Sequence, residues 1–132
     1  MEIIFESPKE HYTADACIVW CFDDRFSRAL TEFVRVCGFK NFDLVKIAGG
    51  AKSLASPDKE SERDFVLGQI QKSIKLHHTK LVVLMNHAEC GAYEGKEIGR
   101  KDLPKAKKFL QDKLLSIEIK TVFVDFEKIS ET

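Results

Sequence analysis

Cys17-Ile18-Val19-Trp20-Cys21-Phe22 runs apolar without a break and passes directly into Asp23-Asp24-Arg25. An apolar run with no polar alternation reads as a strand buried on both faces, which is the signature of a parallel sheet. The same form recurs where Leu81-Val82-Val83-Leu84-Met85 leads towards His87-Ala88-Glu89-Cys90-Gly91. Two buried strands thus end in segments rich in reactive side chains.

The segments between and around these runs complete an alternating pattern. Phe26, Ala29, Leu30, Phe33, Val34 and Cys37 recur at helical spacing, and Gly38 is a natural C-terminal stop. Asp43–Ala48 (DLVKIA) reads as a second strand ending in Gly49-Gly50. Residues 51–60 read as a polar loop, with Ser56-Pro57 starting a helix that runs to about Leu76. Val66, Ile70 and Ile74 line one face of it, and His77-His78 closes it where imidazole meets the helix dipole. A Gly-containing loop, residues 91–100, precedes a helix opened by Asp102-Leu103-Pro104, with Ala106, Phe109, Leu110 and Leu114 facing inward. Its lysines, from Lys101 to Lys113, form a solvated face. Thr121–Phe126 (TVFVDF) is the last expected strand, and the tail is acidic and polar. The expectation is an α/β fold: a small, mainly parallel sheet of about four strands flanked by helices.

At 132 residues and 44% hydrophobic, the chain reads as one domain, residues 1–132, with residues 1–16 as an arm or lead-in. Lys and Arg total 21 and Asp and Glu total 21, so the basic excess of a nucleic-acid or anionic-membrane binder is absent. No apolar run is long enough to span a membrane. The opening MEIIFESPKE lacks the basic region and apolar core of a secretory leader, so a cytoplasmic location is expected. The four cysteines then do not suggest a disulfide framework. Cys17 and Cys37 lie in strand and helix patterns and read as plain buried thiols. Trp20, Phe22 and Phe26 read as core or pocket wall, and His11 as an exposed residue of the arm.

Cys21, His87 and Cys90 supply two thiols and an imidazole, a set that suits Zn2+. Three protein ligands leave one position open, as catalytic zinc sites do. Ligands of open α/β sheets gather beyond the carboxyl ends of strands, where both motifs fall. A water in the open position would be acidified towards a pKa of about 7, giving a nucleophile at neutral pH. Residues two apart on an extended segment project alike, so Cys21, Asp23 and Arg25 can share a face. Asp23, held ionised by Arg25, can accept a hydrogen bond from that water or ligate the metal itself as a fourth ligand.

C-x-D-x-R after one buried strand and H-x-x-C-G after a later one resembles the β-class carbonic anhydrases. Val45-Lys46-Ile47-Ala48-Gly49-Gly50 is similar to the family's strand leading into an R-N-A-G turn, and the resemblance covers roughly residues 16–126. It implies Cys21, His87 and Cys90 as zinc ligands, Asp23 and Arg25 as a catalytic dyad, and Gly91 as the start of a helix behind the site. The implied reaction is reversible hydration of carbon dioxide to bicarbonate, in a homodimer or higher homo-oligomer. This chain departs from the family at Lys46-Ile47, where the family has Arg-Asn. It also has no Gln before Gln69, with His11 or Tyr12 in the stretch where family members carry one. Other readings keep the motifs and change the chemistry: hydrolysis of carbonyl sulfide or carbon disulfide, a non-catalytic zinc protein, or a thiol enzyme with Cys90 as nucleophile.

Overall fold

A computed structural model describes residues 1–132. Strand β1 (Ala16–Cys21) is buried at every position, as its unbroken apolar run requires. Helix α1 (Ser27–Cys37) follows and ends on Gly38, whose left-handed backbone (φ 70°) lets its N–H reach the Arg35 carbonyl. Strand β2 (Phe42–Ile47) leads to the short helix α2 (Lys52–Ala55) and the long helix α3 (Glu60–His77). Then come β3 (Leu81–His87), α4 (Gly99–Lys113), β4 (Glu118–Val124) and β5 (Ile129–Glu131).

The strands form one sheet in the order β2-β1-β3-β4-β5. The first four run parallel, and β5 pairs antiparallel with β4. From β1 the chain steps one way to β2, then back across β1 to β3 and onward to β4. Right-handed crossovers that step in opposite directions must place their helices on opposite faces. Accordingly, Ile18 and Trp20 of β1 pack with Phe26 and Leu30 beside α1. Cys17 and Val19 face the other way, against Leu54, Val66, Ile70, Leu103, Ala106 and Leu110 of α2, α3 and α4. The reversal of strand order lies between β1 and β3, so the crevice opens at their carboxyl ends.

The expected α/β class and its first four strands are present, with six differences in detail. Residues 51–60 are not all loop, since α2 occupies Lys52–Ala55 and buries Leu54 in the core. Helix α3 begins at Glu60, not at Ser56-Pro57. Helix α4 begins at Gly99, ahead of Asp102-Leu103-Pro104; burying Leu103, Ala106 and Leu110 outweighs the one bond Pro104 cannot make. The polar tail contributes β5, which covers the edge of β4. Cys37 is exposed rather than buried, because α1 presents its last turn to solvent. Phe22 is likewise 62% exposed, since the chain turns out of the sheet after Cys21.

Candidate metal centre

Cys21 is the last residue of β1 and His87 the last of β3, so the crevice brings them together. Cys90 follows three residues after His87, beyond Glu89, whose left-handed backbone (φ 52°) turns the chain back over the strand end. All three side chains are buried, and their ligand atoms lie within 4.8 Å of one another. The two sulfurs stand 3.9 Å apart. Two thiolates bound at about 2.3 Å on a tetrahedral ion stand about 3.8 Å apart, so the observed spacing fits that coordination.

His87 is prepared for the same role. Its Nδ1 lies 2.7 Å from the Ala88 carbonyl oxygen, which can only accept, so Nδ1 carries the proton. Nε2 is then the lone-pair nitrogen, and it is buried with no hydrogen-bond partner. The ring is fixed by Phe26 stacked at 4.3 Å and by the edge of Trp20 at 5.6 Å. An unpartnered buried nitrogen is costly unless something binds it. The contact between the two sulfurs lowers the Cys21 pKa and raises that of Cys90. Ligation would take both as thiolates.

Asp23 and Arg25 sit at the rim, but not on an extended segment as the alternation of side chains implied. Asp24–Phe26 forms a single 3₁₀ turn because the Asp23 carboxylate accepts from the Arg25 backbone N–H at 3.0 Å. The same turn lets Arg25 bind Asp23 through both Nε and Nη2, the latter at 2.7 Å. Arg25 Nη2 also donates to the Glu89 carbonyl, tying this turn to the loop that carries Cys90. The guanidinium holds the Asp23 carboxyl below the usual carboxylate range. Asp23 Oδ2 lies 3.9 Å from His87 Nε2, at the open side of the three ligands. Arg25 borders a groove of about 750 Å³ that Phe26, Phe33, Phe126 and Ile129 also line.

One expectation around the site fails. Gly91 starts no long helix; a single 3₁₀ turn, Gly91–Tyr93, stands there and Glu94 and Gly95 turn the chain away. His77-His78 offers no second metal group: His77 is hydrogen-bonded to Asp43, and His78 is exposed. Gly50, by contrast, is required at the crevice. Its φ is 55°, and a Cβ there would collide with the Met85 carbonyl and crowd the Cys21 amide. Sequence reasoning passed over Asn86, Tyr93 and Asp102, which lie buried beneath the Cys90 turn.

The family model described as "Putative carbonic anhydrase" matches residues 11–131. No curated protein matches the chain. Among solved structures, a β-carbonic anhydrase from Trichomonas vaginalis is similar at TM-score 0.66 and 13% identity, covering 97% of this chain and 87% of that one. Tetrameric β-carbonic anhydrases from Sordaria macrospora give 0.63 at 15% identity, with 91% and 81% covered. The apo form of a carbon disulfide hydrolase gives 0.54 at 11% identity, with 90% and 79% covered. These likenesses establish the fold.

Proposed function

The chain belongs to the carbonic anhydrase family whose model spans residues 11–131, and from that premise we propose that it hydrates carbon dioxide reversibly to bicarbonate at a zinc site formed by Cys21, His87 and Cys90. The observation that carries this reading is the convergence of two thiols and an unpartnered imidazole nitrogen within 4.8 Å at the switch point of the sheet. A zinc ion bound there would supply a Lewis acid that makes water nucleophilic at neutral pH.

The chain's own residues do the rest. Cys21 and Cys90 would hold the ion as thiolates, and His87 would hold it through Nε2 while Nδ1–H stays on the Ala88 carbonyl. Asp23, kept ionised by Arg25, accepts a proton-bearing hydrogen bond at the open side and orients the nucleophile. The guanidinium also anchors the Asp23 turn to Glu89, so the acceptor and the Cys90 loop keep one spacing. Asp23 can alternatively close the site as a fourth ligand.

The active unit is proposed to be a homodimer or higher oligomer. Ile3, Ile4 and Phe5 are 70%, 92% and 77% exposed in an arm without secondary structure, and β2 leaves one edge of the sheet unpaired. The Sordaria relatives are tetrameric. Free cysteines and thiolate ligation suit a reducing, cytoplasmic setting. No helix is long and apolar enough to cross a membrane.

Stopped-flow carbon dioxide hydration on metal-quantified protein tests the proposal, with turnover expected to scale with zinc content. Full zinc without turnover would remove this substrate. A second reading, hydrolysis of carbon disulfide or carbonyl sulfide, draws support from the fold shared with a carbon disulfide hydrolase. It also draws on Lys46-Ile47, which stands where the family has polar Arg-Asn. Sulfide release from those substrates would favour it.

A further inference from the structure

The loop from Gly91 to Ile98 buries one side chain, that of Tyr93. Its ring packs with Cys21 and Cys90 in one small buried cluster. Its hydroxyl donates to Asp102 Oδ2 at 2.8 Å. Asp102 is 1% exposed, a carboxyl group in the interior at the start of α4. The same Oδ2 accepts from Ser56 Oγ at 2.5 Å, which caps the end of α2, and Lys105 Nζ lies 3.3 Å from Oδ1. Asn86, adjacent to His87, adds a third tie: its Oδ1 accepts from the Ala51 N–H at 2.9 Å and its Nδ2 donates to the Gly99 carbonyl at 2.7 Å.

Beyond the Arg25 bond to the Glu89 carbonyl, the Cys90 turn has little to hold it. It is bracketed by left-handed residues, Glu89 on one side and Glu94 and Gly95 on the other, and its backbone bonds are local. A buried carboxyl group, however, must keep its hydrogen-bond donors, because losing one leaves a buried polar atom unsatisfied. Tyr93 is one of those donors, so its position is set by Asp102 and Ser56 rather than by the loop.

Resting on the metal reading above, we infer that Tyr93, anchored by Asp102 and Ser56, is the positioning residue that holds the Cys90 sulfur at ligand distance from Cys21 and His87. Outer partners of this kind, when removed, weaken metal binding by about 10- to 100-fold. The chain thereby sets its metal retention through α2 and α4, elements that carry no ligand.

Zinc and cobalt(II) release to a chromophoric chelator tests this on the full chain, together with the cobalt–thiolate charge-transfer band and the melting temperature of the apo-protein. Tyr93→Phe keeps the ring and removes only the hydroxyl; it is expected to release metal about 10-fold faster and to shift the charge-transfer band. Ser56→Ala is expected to act in the same direction by a smaller factor, and keeps the test available if Tyr93→Phe does not fold. Release at the wild-type rate with an unchanged band, even with a lowered melting temperature, would mean that the network holds the fold and not the ligand. That outcome overturns this inference alone. A wild type that takes up neither metal overturns the metal reading and this inference with it.

Discussion

The two ends of the parallel sheet each place a histidine beside an aspartate, and they treat the pair in opposite ways. At the amino end, His77 Nδ1 lies 2.7 and 2.9 Å from the Asp43 oxygens. Ser73 and Tyr12 also donate to that carboxylate, at 2.6 and 2.5 Å. Tyr12 lies against the His77 ring in a tilted pair at 4.2 Å, and the Ala14 N–H meets the His77 carbonyl. The Asp43 carboxylate accepts from three side chains, and the result roots the N-terminal arm on the sheet. At the carboxyl end, His87 Nε2 is buried with none, and Asp23 stops 3.9 Å short of it. A saturated cluster stabilises; a cluster with an unfilled buried donor set is poised to bind.

Substitutions at the two ends should therefore separate metal binding from stability. The largest effect is expected for Cys21→Ser or Cys90→Ser, which should lower zinc affinity by more than the ~100-fold ceiling of outer partners. Chelator competition measures this, and His77→Ala should leave zinc content unchanged. Next, Asp23→Asn should keep the metal while turnover falls about 100-fold or more by stopped flow. Wild-type turnover in that variant would remove the proposed role of Asp23. At the other end, Asp43→Ala strands three donors and should cost about 1–3 kcal/mol in urea unfolding, with metal content retained.

The smallest effect is on pH dependence. Burial pushes the Asp43 pKa up, but hydrogen bonds from Ser73, Tyr12 and His77 outweigh it and the net shift is downward. A lowered folded pKa contributes stability above the unfolded value, near 3.9, that is lost as pH falls through the folded value. Wild-type protein should accordingly lose more stability than Asp43→Asn between about pH 5 and pH 3. Parallel loss in the two proteins would show that Asp43 is not what differs between the ends.

Legibility followed burial. β1 and β3 could be read from their residues because a strand covered on both faces must be apolar throughout, and Ile18, Val19, Val83 and Leu84 are fully buried. α1 was legible because its apolar stripe and Gly38 agree. β5 was not, because a three-residue edge strand has one neighbour and no pattern long enough to detect. α2 was hidden for the same reason, its single turn lying in a polar stretch. Cys37 looked buried because a helical stripe was extended one turn beyond the sheet that covers it.

From the chain of residues alone came the alternating elements, the two strand-end motifs and the ligand-forming residue types, since each depends on neighbours in sequence. Distances between Cys21, His87 and Cys90 came only with the sheet, because strand order, not spacing, brings residues 66 positions apart to one crevice. Tertiary structure alone also set the His87 tautomer, through the Ala88 carbonyl, and the Tyr93–Asp102–Ser56 chain beneath the Cys90 turn. A hydrogen bond between residues 46 positions apart leaves no local pattern, since its energy appears only after the helices have packed.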